Sequence, residues 1–118
     1  MAHEVIDREK LNGLDSAFKL VADQIVEYMR DHGWRLRIVW GRRTIEENQV
    51  LVDSGTAKTN SKHLRGKAVD LIDRSVAYSN DRNHQYYKDL KDACDRYGAK
   101  WGGDFLGSWD PTHFESRI

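Results

Sequence analysis

The sequence has few of the features that place a protein in a membrane, outside the cell or on a nucleic acid. It has a single cysteine, Cys94, so no intrachain disulfide can form. Lysine plus arginine equals aspartate plus glutamate, at 19 each, and no basic block supplies the charge that nucleic-acid binding needs. No apolar run has the length of a signal peptide or of a membrane span. We therefore expect synthesis in the cytosol, with neither a nucleic acid nor a membrane as partner.

What the sequence does contain is the material for one small domain. Its 118 residues are enough to bury a real core. Hydrophobic residues make up 39% and charged residues 32%, which predicts a small core under a well-solvated surface. No internal repeat or low-complexity segment divides the chain. We interpret residues 1–118 as a single domain.

Apolar periodicity predicts three helices. Residues 14–32 repeat apolar side chains at helical spacing, with Asp15 or Ser16 as N-cap and a glycine at the end. A capping box at residues 44–47 begins a short helix that runs to about residue 54. Residues 83–97 form the third helix, again ended by a glycine.

Short strands fit between and after these helices. Residues 35–40 alternate, which predicts that Leu36, Ile38 and Trp40 face the core. Further strands are predicted at residues 67–73, from residue 99, and at residues 112–115. Because the strands are short and their connections irregular, the pattern favours an α+β fold, with a small, mainly antiparallel sheet packed with about three helices.

The stretch from Ser61 to Asp70 carries the clearest chemical signal. Polar residues 56–62 are predicted to form a surface loop that leads directly into His63. Asp70 then falls in the middle of a mostly apolar strand, where a carboxylate is costly unless it is paired or bound to a cation. Asp70 is therefore expected to have a positive partner.

A second segment near the C-terminus supplies another imidazole and two more carboxylates, Asp110, His113 and Glu115. Zinc accepts imidazole and carboxylate ligands, and catalytic zinc sites use three protein ligands and leave one position for water. His63, Asp70 and His113 form such a set. Asp110 could stand beside the metal and take a proton from the attacking water. Glu115 either orients an imidazole or closes the strand.

Each of these residues also has a purely structural interpretation. A His–Asp pair at this spacing often arises by chance. Aspartate is common in turns before proline, so Asp110 could simply form the turn, and His113 could be a packed strand histidine. Arg42 and Arg43 either face solvent or stabilise an oxyanion or a substrate carboxylate. Ser61 is either a turn residue or a donor to a bound carboxylate. Three aromatic residues could line a cleft but are expected in the core: Tyr78, Trp101 and Trp109.

Taken together, these segments resemble the D-Ala-D-Ala carboxypeptidase-like zinc peptidases. That family includes vancomycin-resistance dipeptidases and carboxypeptidases, and phage endolysins that cut the L-alanyl-D-glutamate bond. The matching motifs are Gly41-Arg-Arg-Thr-Ile-Glu-Glu, Ser61-x-His63-x-x-Gly66-x-Ala68-x-Asp70, Trp101-Gly-Gly-Asp-Phe and Asp110-x-x-His113-Phe-Glu. The resemblance covers about residues 10–116, and four ordered motifs are much more specific than either metal segment alone.

The resemblance implies a hedgehog/DD-peptidase-like fold, a Zn²⁺ cofactor and a role for each site residue. His63, Asp70 and His113 match the family's zinc ligands, and Asp110 matches its general base. Arg43 matches the arginine that polarises the scissile carbonyl or stabilises the oxyanion. Ser61 matches a serine that contacts the substrate. Asn48 departs from the Gln found in many relatives, and Arg42 from a common aromatic. Both departures bear on substrate preference more than on hydrolysis.

Asp110 indicates the branch of the family that the sequence resembles. The D-Ala-D-Ala cutters usually carry Glu at this position, whereas the phage endopeptidases often carry Asp. The resemblance therefore implies a bacteriophage endolysin that hydrolyses the L-Ala-D-Glu bond of peptidoglycan stem peptides. We expect a monomer, made in the host cytoplasm without a signal peptide and released to the cell wall by a holin. The alternatives are a D,D-carboxypeptidase or dipeptidase that releases D-Ala, and a non-catalytic wall-binding or tail module with the same fold.

Overall fold

Across the described part of the chain, residues 4–118, the computed structural model has one four-stranded sheet in which all neighbouring strands are antiparallel. The strands are β1 (Leu36–Trp40), β2 (Ala68–Asp73), β3 (Ala99–Trp101) and β4 (His113–Ser116). Their order across the sheet is β1-β2-β4-β3. The two central strands, β2 and β4, are thus the ones that carry Asp70 and His113.

The three predicted helices are confirmed as α1 (Ser16–Asp31), α2 (Ile45–Asp53) and α3 (Gln85–Tyr97). The predicted α+β class with a small antiparallel sheet is confirmed as well. Short 3-10 helices, which the periodicity did not predict, occur at Arg8–Leu11, Lys62–Arg65 and Gly102–Asp104. Within residues 4–118, no helix is long and apolar enough to cross a membrane.

The helix ends follow the predicted chemistry. The Asp15 carboxylate accepts a hydrogen bond from the Phe18 amide at 3.2 Å and caps α1. Thr44 and Glu47 form the reciprocal capping box at the start of α2. Gly98 ends α3 with a φ of 85°, a left-handed conformation that glycine adopts without steric cost.

The two faces of the sheet have different tasks. The side chains of Val69 and Leu71 on β2 and of Phe114 on β4 are buried in the hydrophobic core, against α1 and α3. Because successive strand residues point to opposite faces, Asp70 and His113 lie on the other face, opposite one another in the register. The core face therefore holds the sheet in place while the opposite face carries polar chemistry.

The prediction that Trp40 faces the core is wrong. The β1–β2 register shifts between Ile38 and Trp40, so that Trp40 pairs with Asp70 instead of Val69. Such a bulge inserts one residue and turns the following side chains to the opposite face. Trp40 is half-buried on the polar face, and its ring lies 4.9 Å from the guanidinium carbon of Arg43.

Phe114 is the core anchor of the strand that carries His113. Replacing Phe114 with Ala should destabilise the protein by about 3–5 kcal/mol, because it leaves a large cavity beneath β4. Replacing the fully exposed Leu106 with Ala serves as control and should change stability by less than about 0.5 kcal/mol. Urea unfolding measures both values, and equal effects would contradict this account of the core.

Candidate metal centre

Asp70 lies at the centre of a cluster of basic side chains. Its Oδ1 is 3.0 Å from His113 Nδ1, and its Oδ2 is 3.3 Å from both His63 Nε2 and Arg43 Nη2. Burial disfavours the ionised carboxyl, but the neighbouring imidazoles of His113 and His63 outweigh it and hold the pKa of Asp70 well below its usual range. Asp70 thus has the positive surroundings that its strand position requires.

Both imidazoles are held by acceptors on the side away from Asp70. His63 Nδ1 lies 2.8 Å from the Gly41 carbonyl oxygen, and His113 Nε2 lies 2.9 Å from Glu115 Oε1. A carbonyl oxygen can only accept, so His63 Nδ1 carries the hydrogen and Nε2 presents its lone pair to the cluster. The Glu115 carboxylate favours the equivalent arrangement at His113. This anchoring of the second ring nitrogen is characteristic of metal-binding histidines.

The cluster fits a divalent cation. One ligand atom each from His63, Asp70 and His113 lies within 4.8 Å of the others. His63 Nε2 is buried and makes no hydrogen bond with any described residue, so its lone pair is available. Burial opposes protonation of His113, but hydrogen bonds to Asp70 and Glu115 raise its pKa to about 9. The electrostatic potential at this imidazole therefore favours positive charge. Two imidazoles and a carboxylate suit zinc, and also cobalt or manganese.

His63 is placed by the 3-10 helix Lys62–Arg65, which follows the predicted surface loop of residues 56–62. Ser61 begins this helix, its Oγ accepting a hydrogen bond from the His63 amide at 3.2 Å. Gly66 ends it with a φ of 67°, and a Cβ there would come within 2.9 Å of the Asp15 amide nitrogen. The Arg43 amide also donates to the His63 carbonyl at 2.9 Å. The backbone of this segment is therefore tied on both sides.

Of the two neighbouring arginines, the structure brings Arg43 into the site and leaves Arg42 exposed. Arg43 is buried, and its guanidinium donates to Asp70 at 3.3 Å and to Asn48 Oδ1 at 3.2 Å. Burial lowers the pKa of Arg43 while Asp70 opposes the shift. A guanidinium still holds its proton at neutral pH, so a fixed positive charge stands beside the cluster.

Asp110 lies in the turn before β4, with Oδ2 3.9 Å from His113 Nδ1. Its side chain is 51% exposed and can reach both the cluster and solvent. Loss of hydration raises the pKa of the Asp110 carboxyl, partly opposed by His113. Gly102 packs directly against this turn. Its carbonyl accepts a hydrogen bond from the Asp110 amide at 3.1 Å, and a Cβ on Gly102 would clash with the Asp110 carbonyl oxygen at 2.1 Å.

A cleft of about 390 Å³ brings the predicted site residues together. All six line it: Arg43, Ser61, His63, Asp70, Asp110 and His113. Tyr78 also lines the cleft and is 64% exposed, so its expected core position is wrong. Trp101 and Trp109 pack against the core as expected.

Sequence reasoning did not assign a site role to Lys62, Asn48 or Phe105. Lys62 Nζ pairs with Glu115 Oε2 at 2.8 Å, which links the His63 segment to β4. Asn48 is buried against Arg43. The Phe105 ring lies 5.5 Å from the imidazole of His113 and forms part of the cleft wall. Phe105 ends the Trp101-Gly-Gly-Asp-Phe motif and Asn48 is a departure from many relatives, but neither signal indicated these contacts. Nothing around Lys62 in the sequence indicates its ion pair with a distant strand.

A family model described as D-alanyl-D-alanine carboxypeptidase matches residues 54–116, which is more than half of the chain. The matched stretch includes the three candidate metal ligands, Ser61 and Asp110, but begins after Arg43. No curated protein matches the sequence significantly.

Two solved structures share the fold. The L-Ala D-Glu endopeptidase ChiX of Serratia marcescens has a TM-score of 0.71 and 19% sequence identity, covering 97% of this chain and 90% of ChiX. The LD-carboxypeptidase LdcB has a TM-score of 0.65 and 19% identity, covering 87% of this chain and 58% of LdcB. At this level of identity the likeness establishes the fold alone.

The metal assignment predicts that the protein binds one divalent cation and that His63→Ala loses it, because a catalytic-type site has only three protein ligands. Added zinc should raise the unfolding temperature of the wild type and not that of His63→Ala, since binding stabilises only a site that exists in the folded state. Elemental analysis and thermal unfolding measure the two effects. The control is His32→Ala, at an exposed helix end; loss of metal from this variant too would contradict the assignment.

Proposed function

The chain belongs to the D-alanyl-D-alanine carboxypeptidase family, and from this premise we propose that it is a zinc-dependent peptidase that hydrolyses peptidoglycan stem peptides. The observation that carries the proposal is the grouping of His63, Asp70 and His113 with Asp110 in one cleft. Three ligands and a nearby carboxylate that is not itself a ligand are what metal-assisted peptide hydrolysis requires.

His63, Asp70 and His113 would hold the metal in this proposal. A divalent cation bound there would activate the attacking water and polarise the scissile carbonyl. Asp110 accepts a proton from that water as its oxygen bonds to the carbonyl carbon. Asp110 then gives the proton to the amine nitrogen as the carbon–nitrogen bond breaks. Its raised pKa suits a group that must both take and release a proton.

Arg43 and Ser61 act on the substrate in this proposal. The Arg43 guanidinium is held at the cleft by Asp70 and Asn48, so its charge is already in place where negative charge develops on the carbonyl oxygen. Ser61 accepts from the His63 amide with its hydroxyl oxygen, which leaves the hydroxyl hydrogen for a substrate acceptor.

The proposed bond is L-Ala-D-Glu, and the proposed setting is a monomeric phage endolysin that reaches the cell wall after release. Asp110, rather than Glu, at the general-base position supports this choice, as does the shared fold with ChiX, described as an L-Ala D-Glu endopeptidase, over most of both chains. Carboxypeptidase activity is the second candidate. It is supported by the description of the matching family and by the shared fold with LdcB, described as an LD-carboxypeptidase.

Asp110→Ala tests the proposed general base. Hydrolysis should fall by about 10²–10⁴-fold, because no other side chain takes over proton transfer, while metal content stays unchanged. The matched control is Asp104→Asn, a half-exposed carboxylate in the preceding 3-10 helix that pairs with Lys91. Its activity should stay close to wild type. Full activity in Asp110→Ala would refute the assigned role.

Digestion of purified muropeptides separates the candidate reactions. An endopeptidase should release a new L-Ala carboxyl terminus and a new D-Glu amino terminus, whereas a carboxypeptidase or dipeptidase releases D-Ala. Mass spectrometry of the products identifies these termini. Stoichiometric metal without hydrolysis of any wall preparation would contradict both and favour the non-catalytic wall-binding module.

A further inference from the structure

Helix α2 is joined to the rest of the protein mainly through a polar side chain. Within α2, all of which the structure describes, Asn48 is the one buried residue, at 3% exposure. Of its four apolar residues, Ile45 and Val50 are 76% and 68% exposed, and Leu51 and Val52 are half-buried. A helix normally docks by burying an apolar stripe. Here the group delivered to the interior is an amide, next to the candidate metal centre.

The Asn48 amide makes two hydrogen bonds in opposite directions. Its Oδ1 accepts from Arg43 Nη1 at 3.2 Å, and its Nδ2 donates to the Lys58 carbonyl at 2.9 Å. A buried amide that satisfies both a cation and a carbonyl is costly to remove, because each partner loses its hydrogen bond. The capping box of α2 starts four residues before Asn48 and fixes the helix from which the amide projects.

Asn48 does not itself line the cleft, but both of its partners do. Arg43 stands beside Asp70, and Lys58 belongs to the cleft wall formed by residues 56–61. Asn48 therefore has no direct route to the substrate. Any effect on the reaction passes through the guanidinium or through the wall.

The other contacts of Arg43 do not fully hold its guanidinium. Nη2 donates to Asp70 at 3.3 Å, and the group lies over the Trp40 ring. Among the described residues, Nη1 without Asn48 keeps only the Ser61 hydroxyl, at 3.5 Å, which is at the limit of hydrogen bonding. The bond to the Asn48 oxygen is thus the shortest hydrogen bond that the guanidinium makes with a described residue.

We propose that Asn48 is a positioning residue that fixes the Arg43 guanidinium beside Asp70 and ties the cleft wall, residues 56–61, to helix α2. Its catalytic consequence rests on the proposed peptidase function. The two hydrogen bonds have separable effects. The bond to Arg43 acts on stabilisation of the transition state and hence on kcat, whereas the bond to Lys58 acts on the shape of the substrate cleft and hence on KM.

Two substitutions at this position separate the two bonds. Asn48→Ala removes both, so kcat should fall by about 10- to 100-fold and KM should rise. Asn48→Asp has nearly the same shape and keeps an acceptor for Arg43, but it cannot donate to the Lys58 carbonyl. This variant should raise KM while retaining most of kcat. The matched control is Gln49→Ala, whose exposed side chain donates a hydrogen bond to Asp53 on the same helix; its kinetics should match the wild type.

A double-mutant cycle shows whether Asn48 acts through Arg43. In the Arg43→Ala background, Asn48→Ala should no longer lower kcat but should still raise KM. If Asn48→Ala lowers kcat in that background as much as in the wild type, the guanidinium is not its route and the proposal is wrong.

Two measurements need no catalysis. The ¹⁵N NMR signals of the Arg43 side chain, identified by their loss in Arg43→Ala, should broaden or shift in Asn48→Ala and remain in Gln49→Ala. Amide hydrogen exchange in residues 56–61 should speed up in Asn48→Ala and Asn48→Asp, but not in Gln49→Ala. If neither changes, the proposal is overturned. If both change in a protein without hydrolytic activity, Asn48 is confirmed as the positioning residue and the proposed function fails separately.

Discussion

The structure depends on accommodating one ionised carboxylate, Asp70, within a largely buried strand. A charge there is tolerated only when opposite charge and hydrogen bonds surround it. Strand β4, the 3-10 helix of His63 and the segment after β1 each deliver one basic group to Asp70, namely His113, His63 and Arg43. These segments are far apart in sequence, and their contacts with this one carboxylate bring them together on the polar face of the sheet.

The division of the sheet into two faces lets stability and chemistry reside in the same strands. On β4, Phe114 enters the core while His113 and Glu115 face the cleft, and on β2 the same alternation separates Val69 and Leu71 from Asp70. Packing of the hydrophobic face fixes the strand register, because a shift of one residue in strand pairing would exchange the side chains of the core with those of the site. The precision of the polar cluster is therefore maintained by packing on the opposite side of the sheet.

Regular features of the fold were predictable because their causes are local. Helix periodicity, the Asp15 cap and the capping box of Thr44 act within a few residues, and the structure confirms them. The inward turn of Trp40 was predicted wrongly, because the bulge that redirects it arises from pairing with a distant strand. Tyr78 was assigned to the core on residue type alone, whereas its backbone places it at the cleft.

The sequence by itself determined the chemical inventory of the site: two histidines, an aspartate in an apolar strand, a second aspartate before proline and an arginine after a strand. Residue type and spacing limit which chemistry is available, and those are properties of the chain. The family resemblance had already favoured Arg43 over Arg42, but only the tertiary structure decided that Asn48 and Lys62 support the cluster. Such contacts depend on register, burial and loop geometry, which arise only when segments distant in sequence pack together. Each polar group buried in that packing needs a specific hydrogen-bond partner, because burying it without one is costly.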